Sequence, residues 1–410
     1  MTGPQLERRL GLFDAVIVGL GSMVGAGVFV ALTPAAAAAG TGLLASLAVA
    51  AVVAYCNATS SARLAARYPQ SGGTYVYGRE RLGEFWGYLA GWGFIVGKTA
   101  SCAAMALTVG YYAWPAQAHA VAVATVAVLT AINYAGVHKS AIATRVIVAV
   151  VLVVLAIVVV VVFASGATDI GQVRASGRLG GVLQAAGILF FAFAGYARIA
   201  TLGEEVRDPA RTIPRAIPLA LGITLVVYSA VAVAALSVLG ADGLARSSAP
   251  LADAVRAAGM PGFETTVRVG AGVAAVGSLL ALILGVSRTT LAMARDRLLP
   301  HGLSAVHPRF NVPHRAEVAI GVTVAVLVVF ADLRGAIGFS SFAVLVYYAI
   351  ANASAWTMGR RLIPTAGFAG CLVLAFALPL TSVLSGAAVL AMGAAIYGLR
   401  RAFRRPGRRQ

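Results

Sequence analysis

The stretch Val18–Phe29, VGLGSMVGAGVF, decides how the chain folds. It places four glycines, Gly19, Gly21, Gly25 and Gly27, inside the first long apolar run. Each glycine weakens a helix by roughly 1 kcal/mol relative to alanine. A chain that needed only a plain spanning helix would avoid them. In a bilayer, non-helical backbone survives where it lines a cavity or is buried in protein. A break at 22–27 would free carbonyls of the preceding half-helix and N–H groups of the following one. The half-helix N-terminus can hold a carboxylate, and the freed carbonyls can hold an ammonium group or a cation. One interrupted helix thus suits both ends of a zwitterion. A second reading fits the same residues, because Gly21 and Gly25 form a GxxxG pair suited to close helix–helix contact. A dinucleotide-binding reading fails, since the G-x-G-x-x-G spacing and a βαβ context are missing.

The rest of the composition sets the solvent. The 410 residues are 60% hydrophobic and 11% charged, with a mean hydropathy of +0.88. Soluble domains carry about 25% charged residues, so an all-α integral membrane protein is expected and a soluble multi-domain enzyme is excluded. Apolar segments able to cross about 30 Å of hydrocarbon recur at 12–37, 42–66, 85–113, 119–135, 143–165, 180–201, 216–239, 267–291, 317–333, 336–357, 365–381 and 383–399. These predict about twelve transmembrane helices. The net charge of +18 does not point to nucleic acid, because the arginines sit in short clusters between apolar runs. With both termini on one side, that side takes most of them, from Arg8 and Arg9 to the tail RRAFRRPGRRQ. The other side keeps Arg174, Arg178, Arg246, Arg256, Arg268 and Arg334. The positive-inside rule then places both termini in the cytoplasm and the chain in the cell membrane. The tail acts as a topology anchor, with contact to anionic lipid as the weaker alternative.

Several chemistries drop out. Cys56, Cys102 and Cys371 lie within apolar runs and are expected to pack. The five histidines have no metal-site spacing. No Ser/His/Asp or Cys/His set and no phosphate loop is found, so no enzyme activity, metal or cofactor is expected. No cleavable signal peptide is visible.

The sixth span, QAAGILFFAFAGYARIATLGEEVRDP, is interrupted at Gly195 and the polar residues after it. The first span opens one set of five and the sixth opens the next. An odd number of spans inverts the second set relative to the first, and paired interruptions in inverted halves point to a transporter's central site.

Four stretches, VGLGSMVGAGVF, YPQSGGTYVYGRE, FFAFAGYARIATLGEEVRDPARTIPRAI and SRTTLAMARDRLLP, together resemble the amino acid–polyamine–organocation (APC) transporter superfamily. The resemblance covers roughly residues 10–400. It implies a single transmembrane domain with the LeuT-like five-plus-five inverted-repeat fold, the repeats at about 10–165 and 178–358. Two extra helices at about 364–400 and the basic tail 400–410 would follow. It further implies amides near Gly25, Ala26 and Gly27 for a substrate carboxylate, and carbonyls near Met23, Phe191 and Ala194 for the amine. Phe191 falls where the family has an aromatic lid, and Gly195 at the second break. The Tyr68–Tyr77 region, Glu204 and Glu205 fall in structural or gating motifs. Related members carry a coupling lysine in the fifth helix, where this chain has Val151.

Two cations fall within the apolar spans, and intramembrane charge is functional by default. Lys98 would carry the coupling proton that Val151 cannot, or bond to backbone carbonyls. Arg198 would snorkel to water or pair with Glu204 or Glu205 as a gate lock. All acidic residues lie in loops or near span ends, Asp14 and Glu317 being deepest. The expected function is therefore secondary transport of neutral amino acids, with a proton or sodium ion as the coupling partner. The alternatives are a cationic amino acid or polyamine transporter or exchanger, and a non-transporting amino acid sensor.

Overall fold

The computed structural model describes residues 10–68, 72–136, 141–173, 177–196, 199 and 206–403. The first apolar span is three helices in succession: α1 (Leu12–Met23), α2 (Ala26–Val30) and α3 (Leu32–Ala39). Pro34 lacks the N–H that would reach the Val30 carbonyl, and the ladder is interrupted at Ala31. The second span is α4 (Leu43–Arg67). A short α5 (Thr74–Leu82) follows, then α6 (Glu84–Ala113), α7 (Ala118–Tyr134) and α8 (Ala141–Ala164). The second set opens with α9 (Leu179–Phe193) and continues with α10 (Pro209–Arg246), the short α11 (Pro250–Ala257) and α12 (Glu264–Arg295). It closes with α13 (His314–Phe330) and α14 (Leu333–Trp356), after which come α15 (Leu362–Ala377) and α16 (Leu380–Phe403).

A helix occupies each of the expected spans, and the protein is an all-helical membrane protein. Among the described residues, ten helical stretches are long and apolar enough to cross a membrane. The remaining two are short: α13 has 17 residues and α15 has 16. Pro379 separates α15 from α16 by forcing the preceding Leu378 into extended backbone.

Between the expected spans 216–239 and 267–291 the connection is itself largely helical. Gly240 takes φ 64°, a left-handed conformation that glycine tolerates, and the helix carries on through the kink to Arg246. After it, α11 folds back with Leu251 and Val255 fully buried. Thr33 Oγ1 donates to the Ser247 carbonyl at 3.1 Å, fastening this segment to the first turn of α3.

The opposite, arginine-rich end is tied by α5. Tyr75 Oη donates to Asp296 at the end of α12, and Arg79 Nη1 donates to the same carboxylate at 3.0 Å. Burial, then the Asp296 carboxylate, push the Tyr75 phenol well above its ordinary value. Arg81 donates to Thr357 after α14. Arg63 of α4 reaches the Gly359 carbonyl at 2.8 Å. A parallel bridge pairs Leu10 with Val206, aligning the chain just before α1 and α10.

A buried polar knot joins the middle of the bundle. Asn352 Nδ2 of α14 donates to Asn57 Oδ1 of α4 at 2.6 Å and to the Tyr348 carbonyl at 3.0 Å. Cys371 of α15 lies 3.3 Å from the same Asn57 oxygen. Gly367 leaves room for the Asn352 amide. Replacing one partner strands the other in a low-dielectric interior, at about 1–3 kcal/mol. Asn352→Leu is therefore expected to lower the thermal unfolding midpoint of the purified protein clearly. Thr323→Val on the exposed face of α13 should leave it unchanged.

Candidate functional site

The first span breaks within its glycine cluster. Val24 (φ −78°, ψ 52°) and Gly25 (φ −106°, ψ −142°) leave helical geometry between α1 and α2. Ser22 loosens the preceding turn by donating its hydroxyl back to the Val18 carbonyl at 2.9 Å. The Gly25 N–H turns back onto the Met23 carbonyl at 2.8 Å. The N–H groups of Ala26, Gly27 and Val28 fall in the first turn of α2, where helix geometry offers no acceptor.

The sixth span gives way at the matching place. α9 ends at Phe193 and tightens into a 3-10 turn over Ala194–Tyr196. Gly195 lies in this turn, as its position in the sequence implies. Arg198, Glu204 and Glu205 lie outside the described residues.

The two breaks touch through glycines. A Cβ on Gly195 would lie 2.1 Å from the Ser22 carbonyl oxygen, and one on Gly27 would lie 2.8 Å from Ala192 Cα. A Cβ on Gly25 would meet Ser278 Oγ of α12 at 2.0 Å. The helix is interrupted between Gly21 and Gly25, which face different helices and so form no single GxxxG contact, although each of these glycines admits a close neighbour.

Two tyrosines that the sequence reading overlooked close the exposed carbonyls. Tyr228 Oη of α10 donates to the Met23 carbonyl at 2.6 Å, with the Ala192 carbonyl at 3.2 Å. Tyr348 Oη of α14 donates to the Ala194 carbonyl at 3.2 Å. Phe193 packs on Tyr228 with ring centroids 5.2 Å apart, and Phe190 on Tyr348 at 5.7 Å. The available signal was that a tyrosine inside an apolar run needs a partner for its hydroxyl. Phe191 is buried in the last turns of α9. Ser278 Oγ, facing Gly25, is buried without a partner among the described residues.

Charge is sparse here. From Ser22 to Val28 and from Ala192 to Tyr196, with Tyr228, Ser278 and Tyr348, no residue is acidic. Lys98 is buried within α6, with no ion pair among the described residues. One turn beyond, Ser101 Oγ lies 2.6 Å from Ser340 Oγ of α14. Val151 is buried on the face of α8 whose Thr144 and Val148 press against Gly21. No charged residue occupies positions 144, 148 and 151 on this face. Asp14 is paired with Arg145. Glu317 is fully buried, and neither of its carboxylate oxygens has a partner among the described residues.

The sequence model of the amino acid permease family matches residues 14–399. The chain is 71% identical to an uncharacterized transporter of Mycobacterium tuberculosis, over 98% of this chain and 94% of that one. It is 28% identical to the branched-chain amino acid permease BcaP of Bacillus subtilis, over 78% of this chain and 74% of the relative. It is also 28% identical to cationic amino acid transporter 6 of Arabidopsis thaliana, a chloroplastic protein, over 89% and 67%.

The glycine contacts make a direct test. Gly195→Ala forces a carbon into the Ser22 carbonyl and is expected to cost about 1–3 kcal/mol or more, since backbone yields less readily than a side chain. Gly272→Ala in α12, where a Cβ meets nothing within 4 Å, should be neutral or stabilise by up to about 1 kcal/mol. Thermal unfolding of the two purified variants compares them. Equal stability would show that the two breaks do not meet.

Proposed function

We propose that the chain, which belongs to the amino acid permease family, moves a neutral amino acid across the membrane by alternating access at the paired helix breaks. Membership makes it a multi-pass membrane transporter and not an enzyme; the substrate and the site are the proposal. The observation that carries it is the interruption at Val24–Gly25, set against the 3-10 turn at Ala194–Tyr196. The first-turn amides of Ala26, Gly27 and Val28 suit a carboxylate, while an ammonium group would have to displace the tyrosine hydroxyls that the Met23 and Ala194 carbonyls now accept. These are main-chain groups shared by every α-amino acid, so they recognise the class and leave the side chain to fit. Phe191 would cover the bound solute.

A neutral side chain is favoured because the residues around the breaks include no carboxylate to pair with a second positive charge. Similarity alone does not choose, since a branched-chain permease and a cationic transporter are equally identical to the chain. For coupling, Lys98 is the candidate proton carrier, because positions 144, 148 and 151 of α8 carry no charge. The arginine-rich end, with α5 and the end of α16, would face the cytoplasm.

Proteoliposomes containing the purified protein should accumulate labelled leucine or alanine, each competing with the other, and exclude arginine by about tenfold or more. Arginine uptake without neutral uptake would overturn the substrate assignment. Binding without counterflow would favour a sensor. Lys98→Ala should abolish the dependence of uptake on a proton gradient while preserving counterflow; full retention of gradient-driven uptake would remove Lys98 from coupling.

A further inference from the structure

A cavity that none of the residues at the helix breaks line lies at the arginine-rich end. It measures about 530 Å³ and sits where the start of α6, the turn after α12 and the end of α16 meet. One wall is aromatic: Tyr397 packs against Phe85 and Tyr88 with ring centroids 5.6 and 5.1 Å away. Around it stand Arg297, Arg400 and Arg401, with Glu84 as the acidic residue in the lining. The guanidinium of Arg400 is braced on the Leu298 carbonyl through Nη1, which leaves its other N–H groups for a second partner. Arg297 is held at φ 56°, a left-handed conformation.

The decisive group is Tyr88. Its residue is fully buried, it lines the cavity, and its hydroxyl has no hydrogen-bond partner among the described residues. A buried hydroxyl without a partner costs about 1–3 kcal/mol, so its natural complement is an acceptor supplied from the cavity. In a cavity lined by three arginines the favoured acceptor is an anion. The chain's last residues, 404–410, are themselves arginine-rich and carry the wrong sign to fill the place. The mouth is amphipathic: Trp86 lines it and is 43% exposed, and Leu399 beside Arg400 is 59% exposed. Interfacial tryptophan and outward leucine mark the level where headgroups meet acyl chains.

We propose that this cavity binds the phosphate headgroup of an anionic phospholipid. The arginines would hold phosphate oxygens, and the Tyr88 hydroxyl, which has no exposed surface of its own, would reach one through a small shift of the aromatic wall, while the acyl chains run along Trp86 and the exposed face of α16. The bound lipid would tie α16 to the end of α12, beside the Asp296 carboxylate that anchors α5.

Thermal unfolding of the detergent-purified protein, titrated separately with phosphatidylglycerol, phosphatidylcholine and inorganic phosphate, tests the assignment. Phosphatidylglycerol is expected to stabilise at about tenfold lower concentration than phosphatidylcholine. Tyr88→Phe and Arg401→Gln should each weaken that response several-fold. Their midpoints without lipid should stay at the wild-type value, or rise slightly for Tyr88→Phe. Stabilisation by phosphate alone to the same extent would make this a free-anion site and overturn the lipid assignment. So would equal responses to the two lipids, or unchanged responses in both variants. None of these readings depends on transport, so they stand apart from the substrate tests.

Discussion

A helix broken inside a bilayer strands main-chain donors and acceptors in a medium that offers no water, and each unpaired group is costly there. The surroundings of Val24–Gly25 follow from that constraint. The Met23 carbonyl takes the Gly25 N–H and the Tyr228 hydroxyl. The Ala194 carbonyl takes the Tyr348 hydroxyl. Glycines at 25, 27 and 195 let α12 and the two broken helices close to distances that any side chain would prevent. The amides of the first α2 turn are what remains for a solute.

Away from that centre the bundle is held by polar contacts that link distant parts of the sequence. At one end Asp296 accepts from both Tyr75 and Arg79, and at the other Thr33 fastens the α10–α11 segment. Tyr112 adds a bond to the Phe29 carbonyl at 2.8 Å, holding α6 against α2. Between them the Asn57–Asn352 pair joins α4 to α14. Lipid gives little hydrophobic reason for helices to associate, so small-residue contacts and buried hydrogen bonds take over that role.

The spans were legible because hydrocarbon thickness leaves a plain mark in apolar run length, and glycine and proline mark the interruptions. The first break was legible for the same reason. Helix ends were less so: α10 begins at Pro209, before the apolar run, because Arg211 and Arg215 extend the helix past the hydrocarbon. Hydropathy reports the membrane, not the helix. The α10 kink and α11 were missed because Gly240 and the polar loop composition read as a terminus, whereas a left-handed glycine lets the chain turn without ending. Tyr228 and Tyr348 were missed because their partners lie on other helices, a relation that spacing along one segment does not encode. The depth of Glu317 was legible in the sequence, but its complete burial was not, because the helices that cover it come from elsewhere in the chain.

Contact on both sides of the interruption has a mechanical corollary. The α1–α2 and α9 segments meet before the break, where Gly195 rests on Ser22, and after it, where Gly27 rests on Ala192. A pair braced at two points resists scissoring. Whatever shape change admits a solute must then carry both segments together as a single rigid spar, with the sliding surfaces displaced outward to their looser flanks.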